Sequence, residues 1–160
     1  MFFNRIYQFT SSTKLQFFQF HLLHRIIFTN AKLFEWKLVQ SPLCSFCGIE
    51  EETIKHFFID CNVTKLFFHK VKIWLGKTWQ DLFLGNHDMP LCLEFSLIFA
   101  KKYLYDCKYK KESPNILSYK NRLINTIELE HFLAVKHGTI ENFRKKWSLL
   151  DLKFRLVHIC

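Results

Sequence analysis

A chain of 160 residues has room for one hydrophobic core with a small satellite at most, which excludes two full domains. With 49% apolar and 18% aromatic residues it is not a disordered chain, and 4 Gly and 3 Pro are too few turns for a many-stranded sandwich or barrel. The net charge of +9 favours polyanionic partners through counterion release, without by itself selecting nucleic acid.

The opening "MFFNRIYQFTSSTKLQ" sets Arg5, Gln8 and Lys14 where a secretory leader needs an unbroken apolar region. No apolar run is long enough to span a bilayer. The chain is therefore expected inside the cell, in nucleus or cytoplasm, with no membrane partner. Thiols stay reduced there, and close cysteine pairs signal metal or redox chemistry before disulfides.

In chain order, residues 13–29 predict an amphipathic helix with Leu15, Phe18, Leu22 and Ile26 on one stripe, widened by Phe17 and Leu23. Ser11, Ser12 and Thr13 offer N-caps. Asn30 breaks the run, "AKLFEWKL" resumes as a short helix, and Ser41–Pro42 stops it. The segment 41–61 is net acidic, with Glu50, Glu51, Glu52 and Asp60 against Lys55, while both flanks are basic.

Asn62 is expected to cap "VTKLFFHKVKIWLG", whose Val63, Phe67, Val71 and Trp74 share a face with Leu66 and Leu75, and Gly76 closes it. Residues 77–90 read as a loop around a short "WQDLFL". A long helix runs from Leu91 to about Lys111. Ser113 as N-cap and Pro114 as first helical residue open another, which ends near His137 and Gly138, and a last helix starts at Thr139. The fold class is mainly α: an irregular helical domain with a small cysteine-containing knuckle insert. It comprises a lead-in at 1–40, the cysteine segment with its helix at 41–76 and a C-terminal region at 77–160, together one structural unit.

"SPLCSFCGIEEETIKHFFIDCNV" holds three of the six cysteines. Cys44, Cys47, His56 and Cys61 form Cys-x2-Cys-x8-His-x4-Cys, a donor set that suits tetrahedral zinc. A Cys-x2-Cys turn delivers two thiolates from one knuckle, and Gly48 lets the backbone fold back to point amides at the sulfurs. The stretch after it forms a turn of helix that brings His56 round, and Cys61 closes the site. Four protein ligands leave no open position, so one Zn2+ here is structural. Its three thiolates leave an excess negative charge that Lys55 and Lys65 are placed to offset.

The competing readings are three unrelated buried thiols, which is the reading for Cys92, Cys107 and Cys160, or a redox pair, for which the strand-to-helix setting is missing. His69 is the reserve ligand. His21 and His24, one turn apart, have no further donor near in sequence.

The same stretch through "TKLFFHKVKIWL" resembles the zinc-binding segment that follows the polymerase domain in LINE-type, non-LTR retrotransposon reverse transcriptases. The resemblance extends upstream to "FQFHLLHRIIFTNAKLFEWKL". Downstream it takes in "LIFAKKYLYDCKYKKESPNILSYKNRL" and "ELEHFLAVKHGTIENFRKKW", so that it spans roughly 13–148. It implies Cys44, Cys47, His56 and Cys61 as ligands. It also implies a role in holding template RNA or target DNA, single-stranded or at the insertion target, during target-primed reverse transcription. No Tyr-x-Asp-Asp motif and no endonuclease domain accompany it. The expectation is a non-enzymatic remnant of such a protein that binds RNA or DNA and works with a polymerase body in trans.

Candidate nucleic-acid contacts are basic residues interleaved with aromatics: Lys101, Lys102, Lys108, Lys110 and Lys111 in "KKYLYDCKYKK", and Arg144, Lys145, Lys146 and Trp147 in "FRKKW". Phe46, inside the knuckle, is expected to be partly exposed, for stacking on a base or for covering the zinc. The rival readings are a solvated helix face with core aromatics, a protein–protein interaction module built on the apolar content, and a retroelement fragment with no present function. No nucleophile–base pair, phosphate loop or carboxylate pair supports an enzyme, and "HDMP" at His87–Pro90 is too short to carry one.

Overall fold

The computed structural model describes residues 12–76 and 90–155, with side chains placed for all of these except residues 149 and 151–155. The "WQDLFL" segment, most of the His87–Pro90 stretch, Cys160, and Arg5, Gln8 and Ser11 lie outside the described residues. Six α-helices are described: α1 Thr13–Leu23, α2 Asn30–Glu35, α3 Asn62–Leu75, α4 Leu91–Lys110, α5 Ile116–Lys136 and α6 Ile140–Arg155, with a π-turn at His56–Asp60. Among the described residues there is no strand, only the isolated antiparallel bridge Leu43–Glu51.

α4 is the hub. Its first half is apolar apart from Glu94 and Ser96, as suits a largely buried helix, and it packs against α1, α3, α5 and α6. Cys92, Leu93, Phe95, Leu97, Ile98, Ala100, Tyr103, Leu104 and Cys107 are all buried. Ser96, buried with them, donates its hydroxyl to the Cys92 carbonyl at 2.7 Å. Tyr119 of α5 is completely buried; it donates to the Ser96 carbonyl at 2.8 Å and meets Phe67, Trp74 and Tyr103 ring to ring. Burial in this cluster holds its phenol well above the usual range. Cys92 and Cys107 are packed as small hydrophobic groups, as expected.

Four boundaries differ from the sequence expectation, each for a local reason. The first helix stops at Leu23 because Arg25 adopts a left-handed backbone (φ 56°), and the Ile26 amide closes back onto the His21 carbonyl. The chain is then captured by α4: the Phe28 carbonyl accepts from Lys108 Nζ at 3.2 Å and from Tyr105 Oη at 3.3 Å. This turn rotates the stripe, so Ile27 is buried while Phe17, Leu23 and Ile26 face solvent.

Asn30 opens α2 instead of breaking a helix, with Thr29 as its N-cap. α5 is capped by Asn115, whose side chain accepts from the Leu117 and Ser118 amides, so Ser113 and Pro114 lie ahead of the helix. Cys61, where the π-turn ends, is the N-cap of α3 in place of the expected Asn62, which is its first helical residue; Gly76, left-handed at φ 65°, ends α3 as expected.

Candidate metal centre

The site is assembled from a knuckle, a bridge, a π-turn and a helix start. In the knuckle, Gly48 has φ +64°, and its amide reaches the Cys44 carbonyl at 2.9 Å. The Phe46 amide points at Cys44 Sγ from 3.5 Å. The bridge then sets side-chain direction. The Cys44 amide donates to the Glu50 carbonyl and the Glu52 amide to the Pro42 carbonyl, both at 2.8 Å, on either side of the Leu43–Glu51 pair. Alternation across that pair sends Glu50 and Glu52 to the face opposite Glu51.

Thr53 accepts the His56 amide on its Oγ1 at 3.0 Å and so starts the turn. In an α-helix residues five apart lie about 140° apart around the axis. Here the Cys61 amide bonds the His56 carbonyl at 2.8 Å, an i→i+5 closure that brings His56 and Cys61 toward one side. Cys61 is also the N-cap of α3.

The result is a compact donor set. The Sγ atoms of Cys44, Cys47 and Cys61 and one imidazole nitrogen of His56 lie within 4.8 Å of one another. Cys44 Sγ and Cys61 Sγ are 3.9 Å apart, and Cys47 Sγ is 3.3 Å from His56 Nε2. Tetrahedral zinc with ordinary bond lengths puts two sulfurs about 3.8 Å apart, and sulfur and nitrogen about 3.5 Å apart. The separation of the sulfurs is far beyond a disulfide, and all three thiols are free. Cys44, His56 and Cys61 are buried and Cys47 is half-buried.

The donors fit one structural zinc, which would cross-link knuckle, π-turn and α3. Glu50 Oε2 lies 3.0 Å from His56 Nδ1, close enough for an ion pair though without hydrogen-bond geometry. That leaves Nε2 as the ligand nitrogen, with a carboxylate behind the ring.

The thiols are unequal. Burial pushes Cys44 up to about 12, against the opposing Cys47 and Phe46 amides. At Cys47 burial also raises, but the amides of Glu50 and Ile49 and the His56 ring outweigh it and draw the thiol down to about 6. Lys55 does not serve the expected role of offsetting the thiolates; it pairs with Asp60 at 3.1 Å on the surface. His69 is exposed on α3, on the solvent side of a helix whose inward residues are Phe68 and Val71.

Sequence reasoning missed Glu52. It is fully buried, and it binds four groups: Oε1 takes the Asn30 amide at 2.8 Å and the Lys108 ammonium, while Oε2 takes the Ser45 amide and hydroxyl, both at 2.6 Å. One carboxylate thus caps α2, pins the knuckle and neutralises a cation on α4.

The candidate nucleic-acid residues divide sharply. Lys108 is buried on Glu52, and Trp147 is buried with its Nε1 donating to Glu130 at 3.1 Å, so neither faces solvent as the sequence suggested. Lys146 donates to the same Glu130 oxygen at 2.7 Å and is largely enclosed; burial lowers its pKa, opposed by Glu130. Lys102 pairs with Asp106 one turn away, and burial draws Lys101 below the usual lysine range. Lys110, Lys111, Arg144 and Lys145 are exposed, Arg144 with Glu141 at 2.7 Å. Phe46 is half-buried and stacked on Phe57, with ring centroids 5.1 Å apart.

Among the described residues no helix is long and apolar enough to cross a membrane. No curated protein and no solved structure matches the chain. A family model described as zinc-binding in reverse transcriptase matches residues 1–67, a stretch that contains α1, α2, all four donors and the first turns of α3. Site geometry and family match agree on a zinc-binding segment related to reverse transcriptases.

Proposed function

We propose that this chain is a non-enzymatic, zinc-organised nucleic-acid-binding module of the LINE type, acting inside the cell. In this reading it helps a reverse transcriptase hold template RNA or target DNA. The observation that carries the reading is the closed donor set within a segment matched as zinc-binding in reverse transcriptase. Four protein ligands leave zinc no position for substrate, which supports a scaffold and not a catalyst. The basic balance of +9, with Lys110, Lys111 and Lys145 on the surface, supports attraction of phosphate.

The test is binding of a labelled single-stranded RNA to zinc-loaded and metal-free protein across a salt series. The reading requires binding that weakens steeply with salt and is lost with the metal. Binding that ignores salt, or none at low salt, would remove it.

A second reading is favoured by one feature of α5. Leu117, Leu129, Phe132 and Val135 are each more than half exposed, an apolar display suited to a protein partner such as a polymerase body. Concentration-dependent association without RNA binding would select it.

A further inference from the structure

On α4 and α6 half of the candidate cations, with Tyr103 and Trp147, are buried or half-buried. The junction of α1 and α2 does the opposite. Phe28 is 46% exposed and Trp36 49%, and the two rings meet edge to face with centroids 5.7 Å apart. The Phe28 ring is in solvent although its backbone is anchored, with the amide donating to Tyr105 Oη at 3.1 Å and the carbonyl accepting from Lys108. A fixed backbone carrying an exposed ring is a preorganised contact.

Cations surround this pair. Lys32 Nζ lies 5.5 Å from the Trp36 ring centroid and 3.5 Å from the Arg25 carbonyl, which it reaches as donor, so Arg25, Lys32 and Trp36 share one surface. Lys37 follows Trp36 directly. Glu35 is the only acidic residue between positions 12 and 49.

Arg25 and Lys37 also share an unusual backbone. Both are exposed and left-handed, at φ 56° and 59°. After each, the next amide closes five residues back, Ile26 onto His21 and Leu38 onto Leu33, both at 2.9 Å. This is the helix-ending position that glycine fills without strain. Two neighbouring helix ends carry a cation where glycine would fit freely; Lys111 does the same at the end of α4, so it is the position beside the two rings that singles out Arg25 and Lys37.

We propose that Phe28 and Trp36, flanked by Arg25, Lys32 and Lys37, form a stacking platform for single-stranded nucleic acid. Unpaired bases offer π-faces to exposed rings, whereas paired bases do not, and the cations are placed for the adjoining phosphates. The inference rests on the nucleic-acid reading above and adds to it a surface that includes none of the lysine clusters of α4 and α6.

The test uses full-length, zinc-loaded protein with a labelled oligo(dT) long enough to cover a site of about 4–16 nucleotides, and a duplex of equal length. Wild type is expected to prefer the single strand, and Trp36→Ala to bind about 5- to 150-fold more weakly. Arg25→Gly with Lys37→Gly relieves strain, so thermal stability is kept or raised while the slope of log K against log salt shrinks by about 1.4. Stability and binding moving in opposite directions rules out a merely structural role.

Wild type that binds while all three substitutions leave binding unchanged overturns the platform and spares the general reading. Wild type that binds neither oligonucleotide at low salt overturns both. Loss of self-association, or of binding to anionic vesicles, in Trp36→Ala with oligonucleotide binding intact reassigns the surface and overturns the platform.

Discussion

Glu52 and Lys108, 56 residues apart in sequence, form an ion pair in which the carboxylate side chain is 0% and the ammonium side chain 6% exposed. The pair joins the metal-binding segment to α4. Because Glu52 also holds the Asn30 and Ser45 amides, both of its oxygens are saturated, which is the condition under which a buried carboxylate is tolerated.

Glu52→Gln leaves the Lys108 ammonium buried without a counter-charge and is expected to cost about 3–5 kcal/mol. The double substitution Glu52→Gln with Lys108→Met removes the orphaned charge and recovers a large part of that loss. Urea unfolding of zinc-loaded protein measures both; a single variant as stable as wild type contradicts the assignment.

Removal of one ligand or of the metal acts on the same structure. Cys47→Ser, or chelation of the wild type, is expected to abolish stoichiometric zinc and lower the melting temperature, because binding free energy at a structural site is folding free energy. Elemental analysis gives one zinc per chain for wild type, and readdition of zinc restores the melt only in wild type. Metal-free protein with an unchanged melt would contradict a structural role.

The unequal thiols give a pH signature in metal-free protein. Cys47, lowered from 9.0 to about 6, contributes stability that is full above pH 9 and is lost as pH falls through about 6. Cys44, raised from 9.0 to about 12, contributes stability that is full below pH 9 and is lost as pH rises through about 12. At neutral pH Cys47 is therefore the thiolate, and it is expected to alkylate with iodoacetamide ahead of Cys44, by peptide mass mapping. Zinc should protect both.

Gly48→Ala isolates the backbone demand of the knuckle. An added Cβ meets no atom within 4 Å, so the cost is conformational alone, about 1–2 kcal/mol at φ +64°. Thermal unfolding should report that loss with zinc stoichiometry intact. Gly48→Asn, which tolerates the left-handed region, should lose less.

Much of this was readable before any coordinates, and the failures share a cause. The four donors follow from spacing, since a knuckle and a short turn are local structures, and α3 was bounded by Gly76. Glu52 was hidden because "EEE" looks uniformly solvated; the bridge register turns Glu50 and Glu52 to one face, and the partners Asn30, Ser45 and Lys108 bury only Glu52. Lys108 left a trace that charge obscured: it follows Leu104 by four, on the same buried stripe as Ala100, Tyr103 and Cys107. Trp147 likewise stands four after Phe143 and three before Leu150, which is inward spacing. The early end of α1 had no local signal, because Arg25 is held left-handed where tertiary contacts at Phe28 redirect the chain.

The π-turn bears on which changes of length the chain can absorb. Between Cys47 and His56 the chain is held at the Gly48 amide, at the Ile49 and Glu50 amides beside Cys47, at the bridge, at buried Glu52 and at Thr53, so a residue gained or lost there displaces a contact of the site. Between His56 and Cys61 the constraint is the closure itself. Deleting one residue there converts the five-residue closure to an ordinary helical turn, and it drags α3, whose first residue follows Cys61, round its own axis and off α4. The His56–Cys61 spacing thus acts as a fixed calliper in the metal centre, and it also sets the direction in which α3 leaves toward α4 and α5.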